Sequence, residues 1–384
     1  MSAAHVQREL ASKPSLGVED VRAWAYTIPT DSPESDGTLE WDSTTLVVVE
    51  ISGRGQRGTG YTYASASTAA CMLDTFASVI ERRSFHSPCQ AWDAMVQRTR
   101  NLGHCGIAAM AISAIDVALW DLWGRELGVP TAMLLGAVRD RVPAYGSGGF
   151  TSYSVGQLKK QVANWVEAGM SSVKMKVGRD PSMDPARVRA AREAIGWDAG
   201  LYVDANGAYE AKQAITLAER FSDESNVSWL EEPRPADDIA GTCFVRDHVP
   251  HGVEVAGGEY IYRVADAIRL LDARVVDVLQ ADVTRCGGFT GFMRIAAAAE
   301  AHGVSMSTHC APTLSAHAAV AAKCVRHIEY FHDHARIESR FVEGACVPQD
   351  GLMAPDLSRP GIGIEFKHDD LHAFASGKEA CSCG

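Results

Sequence analysis

The sequence predicts an α/β protein in which a closed β/α barrel is joined to a smaller domain. Short apolar runs alternate with amphipathic stretches from about residue 136 to about residue 345, as in repeated strand–helix units around a parallel sheet. Six of these runs carry an ionisable residue at or near their C-terminal end. The preceding part of the chain has another pattern, antiparallel strands followed by helices, which indicates the second domain.

The N-terminal part is predicted to be a small antiparallel sheet followed by helices. Residues 18–52 contain β-type runs, interrupted by a turn-rich stretch at residues 29–37 that is expected to be a polar loop. From residue 66 to residue 125 the pattern is helical. In residues 107–123 small and apolar side chains occupy every face, so we expect this helix to be buried on most sides.

The six apolar runs of the barrel share the position of their charges. Successive key residues lie 30, 27, 28, 23 and 27 positions apart, close to one strand–helix unit each, and they are Lys174, Asp204, Glu231, Glu259, Asp282 and His309. A parallel strand that is buried on both faces is normally apolar, because an unpaired charge there is costly. A closed barrel accounts for the charges, since the C-terminal ends of all its strands converge on one mouth. The alternative, a doubly wound open sheet, would gather fewer strand ends at one point.

The composition of the chain limits the classes of function that it can have. The chain has 384 residues, 46% of them apolar, enough for one large domain and a companion. The formal net charge of -12 at pH 7, without a run of Lys and Arg, argues against a nucleic-acid partner. No apolar run approaches the roughly 20 residues of a membrane span. Residues 1–17 lack the apolar centre of a secretory signal and the ten cysteines are scattered, so we predict a cytoplasmic protein with reduced thiols.

Three carboxylates at consecutive strand ends predict a metal site. Asp204, Glu231 and Glu259 offer only oxygen, and three like charges in one pocket repel unless a hard divalent cation holds them. Oxygen ligands with room for water and substrate favour Mg²⁺ over zinc, which usually takes nitrogen or sulfur. Each carboxylate alone would more often cap a helix or pair with Lys or Arg, but the regular spacing of the three favours the metal.

Two lysines on one strand predict a general base. Lys174 and Lys176 flank Met175, and alternation along a strand places both side chains on the same side. If that side is the barrel interior, a second cation and a metal would both lower a lysine pKa toward the working pH. The alternative is an edge strand with solvated lysines.

A histidine and an aspartate at adjacent strand ends predict a second acid–base group. His309 and Asp282 lie across the barrel from the lysines by strand count. A carboxylate behind an imidazole fixes its tautomer and stabilises its protonated form. A lone histidine is more often structural, but the aspartate in the preceding unit favours the catalytic interpretation.

The ordered set of motifs resembles the mandelate racemase subgroup of the enolase superfamily. The likeness covers nearly the whole chain, since residues 107–135 also resemble that family's buried cap helix and Pro-Gly-Ile-Gly at residues 360–363 resembles its C-terminal signature. Each motif is weak alone, whereas their order is specific. The central motifs are Val-Lys-Met-Lys-Val at 173–177, Asp-Ala-Asn at 204–206, Trp-Leu-Glu-Glu-Pro at 229–233, Gly-Gly-Glu at 257–259, Asp-Val-Thr-Arg-Cys-Gly-Gly-Phe-Thr-Gly at 282–291 and Ser-Thr-His at 307–309.

The resemblance implies a modified TIM barrel, (β/α)7β, with an α+β capping domain formed by the N-terminal part and the C-terminal tail. The expected boundaries are 15–138 for the cap, 139–350 for the barrel and 351–384 for a segment that returns to the cap. The cap would close over the barrel mouth and exclude water. Its polar loop at residues 31–41 is either a specificity element or a mere surface turn.

The resemblance also implies roles for the site residues. The three carboxylates would bind Mg²⁺, Lys176 would be the base on one face of the substrate, and Lys174 would help to neutralise the substrate carboxylate. The His309–Asp282 dyad would act on the opposite face. Two further residues are implied as substrate contacts, Asn206 near the metal and Glu329, which would donate to the developing enolate.

Bases on two faces leave more than one reaction open. The favoured hypothesis is dehydration of an acid sugar to a 2-keto-3-deoxy acid, because members of this resemblance with a Lys-x-Lys pair and a His–Asp dyad are mostly sugar-acid dehydratases. Racemisation or epimerisation of a 2-hydroxy or related acid, lactone cycloisomerisation, and a non-catalytic protein with this fold are the alternatives. The expected partners are a small carboxylate substrate and further copies of the chain in a symmetric homo-oligomer.

Overall fold

A cap built on an antiparallel sheet lies on a barrel of parallel strands in the computed structural model, which describes residues 15–376 and 380–381. The main cap sheet contains four antiparallel strands, in the order Ala380–Cys381, Asp20–Ser35, Glu40–Gly53 and Gln56–Tyr63, and Leu16–Val18 pairs with Arg83–Phe85 separately. The elements of the N-terminal part are β1 (Leu16–Val18), β2 (Asp20–Ser35), β3 (Glu40–Gly53), β4 (Gln56–Tyr63), α1 (Ser67–Ile80), β5 (Arg83–Phe85), α2 (Pro88–Arg98), α3 (Ile107–Leu127) and α4 (Thr131–Leu134).

Helix α3 lies directly on strand β4 because glycine allows it. A Cβ atom at Gly60 would be 2.1 Å from the carbonyl oxygen of Ala114 and 2.7 Å from the amide nitrogen of Ala118, closer than any side chain tolerates. The helix ends at Gly128, whose left-handed conformation, with φ of 66°, lets the amide of Val129 bond the carbonyl of Gly124 at 2.9 Å.

Helix α3 also corrects the expectation that no apolar run reaches the length of a membrane span. Its 21 residues, with a mean hydropathy of 1.5 over the most apolar window, meet that criterion by length and composition. However, 72% of the window is buried inside the protein. It is therefore the buried cap helix that the sequence predicted, and its apolar surface is covered by the protein itself.

Eight parallel strands form a closed barrel. They pair in sequence order from β6 to β13, and β13 pairs in parallel with β6, with Ile328 opposite Ala144. This closure confirms the predicted barrel and excludes the doubly wound open sheet. The strands are β6 (Val142–Gly148), β7 (Ser172–Lys176), β8 (Gly200–Asp204), β9 (Val227–Glu231), β10 (Glu254–Gly257), β11 (Val278–Ala281), β12 (Ser305–Thr308) and β13 (Val325–Phe331).

Helices connect the strands on the outside of the barrel, one in each of the seven strand-to-strand intervals, and another helix follows β13. This is the (β/α)7β arrangement that the resemblance implied. The helices are α5 (Val155–Glu167), α6 (Asp184–Ile195), α7 (Ala211–Ser225), α8 (Ile239–Arg246), α9 (Val264–Asp272), α10 (Gly288–Ala301), α11 (Pro312–Ala321) and α12 (His332–Phe341).

Strand β7 has the predicted alternation. It pairs with both β6 and β8, so it is not an edge strand. Val173 and Met175 pack in the outer core with Leu158 of α5 and Val188 of α6, whereas the two lysines take the interior positions. The prediction that both ammonium groups share the inner side is confirmed.

Two barrel strands were not predicted from the sequence pattern. Strand β6 reads Val-Pro-Ala-Tyr-Gly-Ser-Gly, and proline and glycine are poor strand formers. Strand β13 reads Val-Arg-His-Ile-Glu-Tyr-Phe, in which polar residues interrupt the apolar run. Both are held in the sheet by their neighbours, since each pairs on both sides.

The polar loop predicted at residues 31–41 is mostly strand. Strand β2 continues to Ser35, Glu34 pairs with Trp41, and the turn itself is short. A register shift between Pro29 and Glu34 accommodates the proline and the turn-forming residues that suggested a loop. We call residues 29–41 the cap hairpin.

The C-terminal segment contacts both domains. Its first strand, β15 (Leu352–Met353), pairs with barrel strand β6, and β14 (Val342–Glu343) pairs with β16 (Glu365–Phe366). Helix α13 (His368–Leu371) and strand β17 (Ala380–Cys381) then reach the cap sheet, where β17 pairs with β2. Residues 377–379 and 382–384 of the segment predicted to return to the cap lie outside the described residues.

Candidate active site

All the side chains that the sequence singled out meet at the C-terminal mouth of the barrel. Each lies within a barrel strand or shortly after its C-terminal end, from Lys174 on β7 to Glu329 on β13. Direct contacts connect them into one network, and all except Asn206, which is partly exposed, are buried. The network consists of Lys174, Lys176, Asp204, Asn206, Glu231, Glu259, Asp282, His309 and Glu329.

The three carboxylates fit a divalent cation. Asp204, Glu231 and Glu259 each present a ligand oxygen, and these oxygens lie within 4.8 Å of one another. The Oε2 atom of Glu259 is buried without a hydrogen-bond donor, and burial together with the charge of Asp204 raises the pKa of Glu231. Oxygen ligands, unmet acceptor capacity and mutual repulsion are the features of a Mg²⁺ site rather than of a structural ion pair.

The two lysines lie on one side of the carboxylates. Lys176 Nζ is 2.5 Å from Asp204 Oδ2, and Lys174 Nζ contacts Glu231 and lies 2.7 Å from Glu329 Oε1. Burial lowers the pKa of both lysines, but the adjacent carboxylates outweigh it and both pKa values are raised. The lowered lysine pKa expected from the sequence therefore depends on a cation that neutralises the same carboxylates.

The histidine–aspartate dyad contacts the other side of the carboxylates. His309 Nδ1 donates to Asp282 Oδ2 at 2.7 Å, which leaves Nε2 3.4 Å from Glu259 Oε2. Asp282 is itself oriented by the amide and hydroxyl of Thr284, both 2.7 Å from Oδ1. Burial lowers the pKa of His309, but Glu259 and Glu329 outweigh it, so the imidazole is held toward its protonated form.

Glu329 lies between the two sides as an acceptor. Its carboxylate takes hydrogen bonds from Ser147 Oγ at 2.6 Å and from the Cys310 amide at 2.9 Å, besides the ion pair with Lys174. Burial alone would raise the pKa of Glu329, but Lys174 and His309 hold it well below its usual range. With three donors around it, Glu329 is an ionised acceptor here, and the donor role expected from the resemblance would require it to gain a proton.

Asn206 occupies the turn after β8. Its backbone is in the left-handed region, with φ of 45°, and its backbone N–H donates to Asp204 Oδ1 at 3.0 Å. The side-chain Oδ1 is buried without a hydrogen-bond donor. A polar group from a substrate next to Asp204 would satisfy it, in line with the predicted role.

Sequence reasoning missed two polar residues of the site. Arg285 lies between the dyad and the carboxylates, with Nε 3.5 Å from Asp282 Oδ2 and Nη1 3.3 Å from Glu259 Oε1. Glu232 is buried beside Glu231, its backbone in the left-handed region with φ of 38° and its Oε1 without a donor. Both residues stand inside the motifs that carry the family resemblance, and the spacing of 23 to 30 residues drew attention to their neighbours instead.

A layer of aromatic rings closes the barrel below the charged network. Tyr202 stacks on Trp229 with ring centroids 5.2 Å apart, and Tyr145 meets His327 edge to face at 4.9 Å. Trp229 Nε1 also donates to Glu231 Oε2 at 3.0 Å. Such a floor keeps water from reaching the carboxylates through the barrel and fixes the orientation of one of them.

The cap hairpin covers the mouth. Ser35 Oγ is 2.6 Å from Thr151 Oγ1, in the segment after β6, and Trp41 packs edge to face on Phe150 at 5.6 Å. At Gly37 a Cβ atom would be 2.5 Å from a carbonyl oxygen of the turn after β8. The hairpin is thus packed against the segments that carry the site, which is more than a surface turn would do.

Comparison with known proteins gives consistent matches. Family models described as "Mandelate racemase / muconate lactonizing enzyme, N-terminal domain" and "Enolase C-terminal domain-like" match residues 29–136 and 157–370. The chain is 32% identical over 380 residues to the 3,6-anhydro-alpha-L-galactonate cycloisomerase of Streptomyces coelicolor, covering 94% of this chain and 100% of that protein.

Two solved structures illustrate the likeness in three dimensions. A mandelate racemase/muconate lactonizing enzyme-like protein from Rubrobacter xylanophilus is 48% identical, with a TM-score of 0.92 over 94% of this chain and 100% of that one. The L-talarate dehydratase from Polaromonas sp., complexed with Mg and L-glucarate, is 28% identical, with a TM-score of 0.83 over 95% of this chain and 98% of that one.

Proposed function

The chain belongs to the mandelate racemase/muconate lactonizing enzyme family of the enolase superfamily, and on that premise we propose that it dehydrates an acid sugar to a 2-keto-3-deoxy acid. The chain is an enzyme rather than a non-catalytic protein with this fold, since its relatives are dehydratases, epimerases and cycloisomerases. Mg²⁺ is the cofactor of the superfamily, and solved relatives contain it.

In this proposal Asp204, Glu231 and Glu259 hold the magnesium ion. When bound, Mg²⁺ stabilises the negative charge that develops on the substrate carboxylate, and its combination with a Lys or His base is the general pattern of the superfamily. The oxygen-only ligand set and the free Oε2 of Glu259 support this assignment.

Lys176 would remove the proton next to the substrate carboxylate. A carbon acid of this kind is far too weak for an amine unless the negative charge that forms is strongly stabilised. Lys174, buried on the same strand face, supplies positive charge at that point. The aromatic floor and the cap hairpin exclude water, which strengthens each of these interactions.

His309 would protonate the departing β-hydroxyl. Asp282 holds Nδ1, so Nε2 is the atom that is free to exchange a proton. The observation that carries the proposal is that the two groups contact different carboxylates, since the lysines contact Asp204 and Glu231 whereas the histidine contacts Glu259. A base and an acid in these positions allow the α-proton to be removed by one group and the departing β-hydroxyl to be protonated by the other.

A cycloisomerase is the second candidate, because the relative of 32% identity carries that name. An epimerase would use the same two groups, with the proton returned from the other side. A cytoplasmic location and a symmetric homo-oligomer remain predictions from composition and family likeness.

The test is incubation of the purified protein and Mg²⁺ with a library of aldonic, aldaric, lactone and anhydro sugar acids in D₂O, with 2-keto acid and α-proton exchange both measured. We expect keto acid from one or a few acid sugars. Keto acid from none would refute dehydration, and exchange with inversion or an isomerised product would then identify an epimerase or a cycloisomerase.

Two variants separate the roles. His309→Asn is expected to lose keto acid formation by about 100-fold or more but to keep α-proton exchange, whereas Lys176→Met loses both. The matched controls are His302→Asn and Lys159→Met, because each alters a surface residue with a carboxylate partner, at 3.1 Å and 3.2 Å. Exchange that survives in Lys176→Met and fails in His309→Asn would reverse the two roles.

A further inference from the structure

A second group of potential metal ligands lies where the cap hairpin meets helix α12. Asp31 and Glu34 come from β2, and His332 is the first residue of α12. One ligand atom of each lies within 4.8 Å of the others, and His332 Nε2 is 3.0 Å from Asp31 Oδ2. We call these three residues the seam cluster. None of them belongs to the proposed magnesium site.

One buried acceptor of the seam cluster, Glu34 Oε1, is not satisfied within the protein. Glu34 is fully buried, and although Oε2 accepts from Trp41 Nε1 at 2.8 Å, Oε1 is buried without a donor. The neighbouring Asp333, also fully buried, has an unpartnered Oδ2. A buried carboxylate oxygen without a partner is costly, and a bound cation would supply that partner.

The charges around the cluster call for a divalent cation. Asp31, Glu34 and Asp333 are carboxylates, and the cation bonded to this group is Arg336, whose Nε is 3.1 Å from Asp333 Oδ1. With His332 neutral, ionisation of all three acids would leave two uncompensated negative charges, and burial beside Asp333 opposes this by raising the pKa of Glu34 to about 8. A divalent ion would balance that charge and supply the partner that Glu34 Oε1 lacks.

We propose that Asp31, Glu34 and His332 bind a divalent transition-metal ion, with Zn²⁺ as the typical occupant, separate from the catalytic magnesium. A ligand set of one imidazole nitrogen and two carboxylate oxygens suits zinc and similar ions, whereas Mg²⁺ prefers oxygen alone. Ligands about 2.0–2.2 Å from zinc stand roughly 3.3 Å apart in a tetrahedron, so small side-chain rotations would complete the site.

The seam site would fasten the cap to the barrel. Two ligands lie on the cap hairpin and the third on the helix that follows the last barrel strand, and Arg336 Nη2 already bonds the carbonyl of Pro29 at 2.9 Å. A bound ion would add a strong link at the same place. Opening of the hairpin over the barrel mouth would therefore be slower with the ion bound.

The experiment measures zinc binding by equilibrium dialysis of the full-length protein in excess Mg²⁺. Wild-type protein is compared with His332→Gln and Glu34→Gln, and with His302→Gln as a matched control, since His302 pairs with Asp272 at 3.1 Å on the surface. We expect wild type and His302→Gln to bind one more equivalent than either seam variant. Co²⁺ in place of Zn²⁺ should give visible bands that His332→Gln lacks.

Equal zinc stoichiometry in wild type and His332→Gln would overturn the proposal. The difference between proteins is informative even if zinc also enters the magnesium site, because that contribution is common to all variants. Circular dichroism of the metal-free proteins shows whether Glu34→Gln is folded, and His332→Gln, at a half-buried position, provides the test if it is not. Neither result depends on which reaction the enzyme catalyses.

Discussion

Replacement of Asp121 by alanine should release the cap from its contact with the C-terminal segment. Asp121 is fully buried on helix α3, and its carboxylate joins three parts of the chain. Oδ1 accepts from the amide of Ile362 at 2.6 Å, and Oδ2 accepts from the amide of Thr59 at 2.8 Å and from Arg125 Nε at 2.9 Å.

The expected loss follows from the groups left without a partner. Alanine leaves two buried backbone N–H groups unsatisfied, at about 1–3 kcal/mol each. Arg125 keeps its bonds to Glu365 and to the carbonyl of Ile364, so its share is small. The free energy of unfolding should fall by about 4 kcal/mol.

Urea unfolding followed by circular dichroism measures this loss. The control is Asp272→Ala, which removes a carboxylate that is 67% exposed and pairs with a surface histidine, and it should cost less than about 1 kcal/mol. If Asp121→Ala lost no more stability than this control, the reasoning that the buried carboxylate holds the three segments together would be wrong.

Three further predictions concern pH, the cap hairpin and the dyad. Burial raises the pKa of Glu338 from 4.5 to about 7, so the folded protein favours the protonated carboxyl. The stability that this protonated group contributes is fully present below pH 4.5 and is lost as the pH rises through 7. Unfolding at several pH values should show wild type losing about 3 kcal/mol relative to Glu338→Gln across that window, and a constant difference would contradict this. Gly37→Ala places a Cβ 2.5 Å from a backbone oxygen at the mouth, so the cap hairpin must shift, and kcat/KM should fall about 10- to 100-fold together with a lower thermal midpoint. Its control Gly252→Ala, with no atom within 4 Å, should be neutral in both measurements. Asp282→Asn would present a hydrogen-bond donor to His309 in place of the carboxylate. The value of kcat should fall about 100-fold or more and its pH profile should change, whereas an unchanged pH profile would exclude a catalytic dyad.

The sequence predicted the barrel through features that are local in the chain. A strand fixes which side chains share a face, and a strand–helix unit fixes the interval between strand ends, so Lys174, Asp204 and Glu231 could be placed together from spacing alone. The family resemblance, which rests on the order of the motifs, also predicted that the barrel has eight strands and that a cap accompanies it. Strands β6 and β13 were missed because glycine, proline and polar residues conceal them locally.

Spacing could not predict contacts between distant parts of the chain. Ser147 and Glu329 bond at 2.6 Å because the first and last barrel strands pair, and nothing in either segment indicates that closure. Glu34 stands in a stretch with the composition of a turn, yet the barrel below buries it completely.

The sequence by itself determined the type of fold, the order of the charged residues around the mouth and the two lysines on one inner face. Those follow from backbone periodicity, which each segment carries alone. Only the tertiary structure decided the charge state of the site. In it Lys176 forms an ion pair with Asp204, and Glu329 accepts from three donors. The physical reason is that pKa values and unmet hydrogen bonds depend on burial and on the distances between side chains, and these exist only once the barrel has closed.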